Sequence, residues 1–368
     1  MVWMASLGLL ALLLASGVLI RVDSTLYDIN QKFWHYAPGD DTVIVAIDPK
    51  TLAQLGQWPF PRSLHARLLD RLASYGVRGV ALDVSLSTAD SARPGNDRLL
   101  ANALASNGKV VLPMFPEAPD LGSPLEESLP LPAFAGSAAG IGHVDVARDG
   151  DGMVRGAYLT AGLGQPYWPI LALTLYQLGH PSAPAPLPGL RDPSSGEASP
   201  YLWVRDHYVL LRYADPITGF GRVSYADVLD GRVPTELLKD RWVLIGATAE
   251  GMGDIIQTPG ARIPGVEYQA NLFESLRRGW LVTPLAFAAQ LAIGAGTLLL
   301  PLLLYGLPGF RRAWRAGIAA AALTMGTSLC LLRLGYLWWP PTASLLLLAV
   351  GLAGWQIFTW RQNSPTPH

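Results

Sequence analysis

Three aspartates stand just beyond short apolar runs. Asp48 follows Thr42–Ile47, Asp83 follows Gly79–Leu82, and Asp254 lies in the glycine-rich stretch after Arg241–Gly246. If those runs are parallel strands of one sheet, their carboxyl ends share a rim where loop backbone and helix N-termini leave polar groups on a rigid frame. Carboxylates gathered there suit oxygen coordination of a Ca²⁺-like cation, or an amine or polyol ligand. The same residue type also caps helices by accepting backbone N–H bonds, and the sequence leaves both readings open. Arg62 opens the following helix and could face the same rim. Trp58-Pro59-Phe60-Pro61 is stiff and aromatic, fit to wall a pocket or simply to set a helix entry angle. His65 lies beside the apolar stripe of its helix, which suits a satisfied, partly buried histidine as well as a base or pH sensor. Asp48, Trp58, Arg62, His65, Asp83 and Asp254 are therefore the candidate ligand-binding residues. No catalytic residue, metal or cofactor is assignable.

Other motifs carry less. Asp149-Gly150-Asp151-Gly152 alternates carboxylates as Ca²⁺ loops do, but no Glu follows at the EF-hand distance, so it reads as a turn. Gly246–Gly253 is rich in glycine yet lacks the lysine of a P-loop and carries Glu250, which disfavours an anion. No Ser/His/Asp elbow, HExxH or Cys/His metal spacing occurs, so catalysis by this chain is not expected. The single cysteine, Cys330, falls in an apolar run, where a buried thiol acts as a small apolar side chain; the mixed region must fold without a disulfide.

The elements that would position these residues alternate. The sequence predicts strands at Thr42–Ile47, Gly79–Leu82, Lys109–Met114 and Arg241–Gly246. Between them lie helices at Thr51–Leu55, Ser63–Tyr75 and from an Asn96 cap to Ala105. Strand–helix alternation implies an α/β fold with a mostly parallel sheet and right-handed crossovers. Residues 115–139 read as a long loop, and Ile141–Val146 with Val154–Ala161 as a hairpin around Asp149–Gly152. Further elements are expected at Pro169–Leu178 (helix), Tyr208–Tyr213 (strand), Tyr225–Leu229 (helix) and Val266–Trp280 (helix), with a mobile Pro/Ser insertion at Pro181–Pro200.

Around that region lie four apolar runs: Val2–Ile20, then Leu285–Tyr305, Ala316–Leu332 and Leu337–Phe358. Each approaches the ~20 residues that span a bilayer core as helix. Half of the 368 residues are hydrophobic and only 15% are charged. The net charge of −1, with no basic cluster in the mixed region, gives no electrostatic case for nucleic acid. Arg311, Arg312 and Arg315 lie between the second and third runs, and positive-inside reasoning puts that loop in the cytoplasm and the mixed region outside. The expected organisation is an anchor at 1–20, an extracytoplasmic domain at 21–283, three membrane helices at 284–360 and a short cytoplasmic tail at 361–368. Arg21–Tyr36 has the spacing of an amphipathic helix continuing from the first span. Ala15-Ser16-Gly17 loosely resembles a signal-peptidase site, but about 19 apolar residues favour an uncleaved anchor.

An ordered set of residues is similar to the CHASE2 family of bacterial extracytoplasmic sensor domains. It comprises Asp48–Leu52, Gly56–Arg62 with His65, Gly79–Asp83, Asp97–Leu104, Asp149–Arg155 and Val243–Thr248. Asp254, Thr258-Pro259, Pro264–Glu267 and Ala270-Asn271 complete it. The resemblance spans roughly residues 25–280 and extends to the three closing membrane helices. It implies a multi-pass protein of the bacterial inner membrane, a homodimer, whose outer domain binds an unknown small molecule or ion. Through helix displacement it would drive a cytoplasmic cyclase, diguanylate cyclase or kinase. Only Arg361–His368 follow Trp360, so such an output would lie outside this chain or on a partner. Two rival readings are a membrane transport or assembly protein, against which the spans carry few polar interruptions such as Gln290 and Arg333, and an exported hydrolase using Asp48, His65 and Asp83.

Overall fold

The computed structural model describes residues 2–118, 123, 125–180, 186–193, 200–252, 255–305 and 313–363. The chain opens with α1 (Val2–Ser16) and α2 (Ile20–Lys32). There follow β1 (Thr42–Ile47), α3 (Pro49–Leu55), α4 (Arg62–Tyr75), β2 (Gly79–Leu82), α5 (Pro94–Asn107) and β3 (Val110–Glu117). Next come β4 (Glu126–Ser128), α6 (Pro132–Ala135), β5 (Gly140–His143), β6 (Gly156–Leu163), β7 (Trp168–Pro169), α7 (Leu171–Gly179) and β8 (Trp203–Leu210). β9 (Gly221–Ser224), α8 (Tyr225–Leu229), β10 (Trp242–Ala247), β11 (Ile255–Gln257), β12 (Arg262–Pro264) and α9 (Gly265–Arg278) complete the mixed region. The chain closes with β13 (Thr283–Pro284), α10 (Phe287–Tyr305), α11 (Ala313–Gly335), β14 (Leu337–Trp338) and α12 (Thr342–Asn363). Two compact units result, one of Gln31–Leu281 and one of Met1–Asn30 with Val282–His368.

The α/β unit is built on a seven-stranded sheet in the order β4-β3-β2-β10-β1-β9, with β5 also pairing β3, on the side away from β2. Every pairing in it is parallel except β3 with β4. Its strands are apolar on both faces because helices cover both. Val43, Val45, Ile47, Val80, Leu82, Val243 and Ile245 meet α4, α5 and α8 through Leu68, Leu72, Leu100, Leu104 and Val228. The alternate residues Ile44, Ala46, Ala81 and Leu244 meet α7 and α9 through Leu171, Leu175, Val266 and Phe273. A side-chain period of two thus divides one sheet between two cores. α9 lies close on β10: a Cβ at Gly246 would sit 2.6 Å from that of Val266, so only glycine lets the start of the helix press onto the strand. At the other end of β10, the Trp242 ring fills a slot between Gly79 and Gly179. A separate antiparallel sheet, β7-β6-β8, adds Ala157, Leu159 and Val209 to the α9-side core.

Several expected elements change. The two runs around Asp149–Gly152 are not a hairpin: the turn forms, with Asp149 N donating to the Met153 carbonyl at 2.8 Å, but β5 joins β3 in the large sheet while β6 pairs β8 in the small one. The turn therefore passes the chain from one sheet to the other. Both carboxylates fold back onto buried Arg155, at 2.6 Å from Asp149 and 2.7 Å from Asp151, which offsets part of the turn's negative charge. The hydrogen bond from Arg155 holds the Asp151 carboxyl below the usual carboxylate range. α5 begins at Pro94 rather than after Asn96, since proline at N1 has no N–H to lose. Residues 115–139 contain the end of β3, β4 and α6 rather than loop alone. β8 lies earlier than expected and ends at Leu210. Most of the Pro181–Pro200 insertion lies outside the described residues.

In the second unit, α1 packs on α10 and α12, α10 on α11, and α11 on α12. Leu10, Ala343 and Leu347 are buried at its centre with Leu291 and Leu298 alongside. Gly294 lets Leu10 approach, since a Cβ there would lie 2.8 Å from the leucine. Small residues at helix crossings are how apolar helices come close. The expected straight continuation from the first apolar run is not found: the chain breaks at Gly17 (φ +63°), and α1 and α2 are bent by 76°. Glycine alone adopts that conformation cheaply. α2 also stops at Lys32, short of Tyr36. The fourth apolar run becomes helical only at Thr342, because Pro340 and Pro341 intervene, and its first residues form β14 against β13. Trp314–Gly335 is the one described helix long and apolar enough to cross a membrane unaided. Met4–Ser16 with Ile20–Lys32 passes only as a bent pair, and Phe287–Pro301 and Thr342–Ile357 are shorter apolar helices. Cys330, expected inside, is exposed on α11. Arg311, Arg312 and residues 364–368 of the tail lie outside the described residues.

Candidate functional site

Asp48 and Asp83 do lie on one rim of the large sheet. β10 runs between β1 and β2, with Ile47 in register with Ala247 and Leu82 with Ile245. Two inter-strand steps of ~4.8 Å separate the strands that bear the carboxylates. Asp48 is the N-cap of α3: its Oδ1 accepts from Thr51 N at 2.7 Å, Thr51 Oγ1 at 2.6 Å and Ser224 Oγ at 3.0 Å. Three donors on one oxygen tie α3 to the strand before it and to β9. Replacing Asp48 with alanine is expected to destabilise the unit by about 1–2 kcal/mol, the range for a lost N-cap, with Asp48→Asn retaining most of the stability. Urea unfolding midpoints check this.

The aromatic segment before α4 forms one group with the helix. Trp58 meets Phe60 edge-on at 5.1 Å and His65 at 5.9 Å, and His65 meets Tyr225 at 5.7 Å. The Tyr225 hydroxyl and His65 Nδ1 share a 3.0 Å hydrogen bond. His65 is 2% exposed, and burial, reinforced by nearby Arg62, pushes its pKa down to about 4. It is neutral throughout the physiological range and closed to solvent. Arg62 turns the other way: its Nε lies 3.0 Å from Asp97, its Nη2 donates to the Thr88 carbonyl, and its guanidinium stands 5.3 Å over the Phe134 ring. Thus α4, α5 and α6 are joined at their shared end. The structure brings Trp58 and His65 together and places Arg62 one helical turn before the histidine. Asp83 sits across β10 from Asp48, and Asp254 lies outside the described residues. No group of three His, Cys, Asp or Glu side chains among the described residues could hold a metal ion.

A second constellation has no signature in the sequence. Arg212, two residues after β8, stands 5.1 Å from the Trp34 ring centroid, 5.6 Å from Tyr36 and 5.1 Å from Trp280. Its Nε and Nη2 donate to the carbonyls of Trp34 at 2.6 Å and His35 at 2.8 Å. The Tyr36 hydroxyl donates to Asn271 Oδ1 of α9 at 3.0 Å, and the same oxygen accepts from Ala214 N at 2.7 Å. One guanidinium, flanked by three rings, therefore binds the segment by which the chain comes into the α/β unit to the segment by which it leaves. These residues lie about 180 and 70 positions apart in sequence, so only the fold brings them together.

Residues 4–306 match the CHASE2 domain family. No curated protein and no solved structure matches the chain.

Proposed function

The chain belongs to the CHASE2 family of extracellular sensory domains, and from that premise we propose that it is the sensing half of a membrane signalling protein. The α/β unit binds a small ligand outside the cytoplasm, and the helical unit carries the resulting displacement across the inner membrane of a bacterium. Four membrane crossings are supported by composition. No Asp, Glu or Lys occurs after Leu281, and the helical unit exposes Leu9, Leu12, Leu303, Ile318, Leu323, Val350 and Ile357 on its outer surface. A bundle apolar outside as well as inside suits lipid rather than water. The chain itself is not a catalyst; a cytoplasmic cyclase or kinase reads its state, and the working form is a homodimer.

The observation that carries this reading is the Arg212 clasp. A ligand changes the relation of two helices only if it binds one arrangement more tightly than the other. The clasp holds both connections of the sensing unit in one arrangement, so anything that loosens or tightens it reaches both. The test uses a Cys330→Ser chain carrying cysteines in place of Leu13 and Leu298, residues that pack in the same cluster of the helical unit. Oxidation rates in native membranes are compared across a panel of metabolites and divalent metal ions. At least one compound that raises thermal stability should change the rate several-fold; stabilising compounds that all leave it unchanged sink the proposal.

A further inference from the structure

The amino-terminal edge of the large sheet holds an open cavity of about 510 Å³ that none of the sequence candidates touches. Its lining includes Arg78, just before β2, Lys109, just before β3, and Trp242, the first residue of β10. Gly179 and His180 at the end of α7, and Arg277 in the last turn of α9, complete that side. Trp242 is 5% exposed and forms the rigid wall. Arg277 is already engaged, 2.7 Å from Asp41 and 3.3 Å from Glu274. Arg78 and Lys109 form no side-chain hydrogen bond or ion pair among the described residues. Around Asp41 and Glu274, four arginines (Arg78, Arg241, Arg277, Arg278) meet two carboxylates, an excess of two positive charges, and Lys109 on the cavity lining adds a third.

Cations here have an ordinary role. α4, α5, α7 and α9 all end at this edge, and each helix C-terminus carries about half a negative charge. That accounts for some of the excess, but it does not explain why two cations with no side-chain hydrogen bond or ion pair among the described residues line a concave site against a flat, buried indole. Arg78 and Lys109 are exposed, yet they line the same cavity as Arg277. These converge from three separate elements.

We propose that this cavity binds a small multivalent anion, a ligand with two or more phosphate or carboxylate charges, held by Arg78 and Lys109 and sharing Arg277 with Asp41 and Glu274. This deepens the sensor reading and rests on it for its consequence. Arg277 drawn toward the ligand loosens its hold on Glu274, which also binds Thr42 Oγ1 at 3.2 Å and Arg278 at 2.5 Å. Arg278 in turn stands 4.7 Å over Trp280, one of the three rings around Arg212. The cavity and the clasp are thus joined by consecutive contacts along the last turn of α9.

The charged groups of such a ligand could belong to a free metabolite or to an anionic lipid headgroup, and the experiment separates them. The full chain, in neutral detergent, is melted with pyrophosphate or citrate against sodium chloride of equal ionic strength. In parallel it is melted in nanodiscs of phosphatidylglycerol against phosphatidylcholine. A free ligand raises the melting temperature by on the order of 5 °C near saturation in detergent; a headgroup does so only in the anionic nanodiscs. In either arm the Arg78→Gln/Lys109→Gln double variant should lose at least tenfold in apparent affinity. No rise in either arm, or an equal rise in the double variant, overturns the site. Binding that leaves the Leu13/Leu298 cysteine crosslink unchanged keeps the site and sinks the sensor reading instead.

Discussion

Arg212→Ala should lower the melting temperature of the full chain by on the order of 10 °C. The substitution removes a cation from the faces of Trp34, Tyr36 and Trp280 and leaves the Trp34 and His35 carbonyls without their donors. A cation–π contact contributes about 0.5–2 kcal/mol, and a buried acceptor left unpaired costs about 1–3 kcal/mol. A total of roughly 3–5 kcal/mol corresponds to such a shift in a unit of this size. Arg212→Lys keeps the charge but not the two-pronged geometry, and should recover less than half of the loss. If the clasp also transmits, Arg212→Ala changes the rate of the Leu13/Leu298 cysteine crosslink even without ligand. A shift under 2 °C would show that the aromatic residues hold the two segments by themselves.

Acidification between pH 6.5 and pH 4 should destabilise the α/β unit by about 6 kcal/mol, contributed by two histidines. His65 and His143 are 2% and 0% exposed, and burial lowers the pKa of each to about 4. The unfolded chain binds protons at these residues from pH 6.5 downward, while the folded chain does not until about pH 4. Their stabilising effect is therefore complete above pH 6.5 and is lost as pH falls through that window, at about 3 kcal/mol each. Asp41 and Asp151, whose carboxyls are held low by Arg277 and Arg155, weaken the fold in the same direction but only at lower pH. Glu267, raised by burial, works against the trend. Urea unfolding across the window should show close to two protons taken up on unfolding, and His65→Gln should remove nearly one. An uptake well below one proton would place both rings in contact with solvent.

The sheet was legible where residues report their own surroundings. Thr42–Ile47 and Trp242–Ala247 are mostly apolar and buried at every position but Ala247 because both faces are covered, and both appear in the sequence as strands within a residue of their ends. Asp48 stood out for the right position, at the end of a strand, yet which of its two roles it plays depended on Thr51 and Ser224, the latter 176 residues away. The division of Gly140–His143 and Gly156–Leu163 between two sheets could not be read locally, since a turn has the same composition whether its flanks pair or part. Arg212 and the cavity were invisible for a related reason. Trp34, Tyr36, Arg212 and Trp280 belong to no motif, and Arg78, Lys109 and Arg277 gather only because successive helices return to the same edge of the sheet.

The close seat of Val266 on Gly246 bears on how α9 can move. A helix whose first turn fills a notch in the strand beneath it cannot slide along its own axis without riding up over the backbone of Ala247 or Ile245. If α9 moves, that end is its natural fulcrum and the travel is larger toward Arg277. Any stroke it delivers is a swing of its far tip, and filling the notch with Gly246→Ala would shift the resting angle before any stimulus arrives.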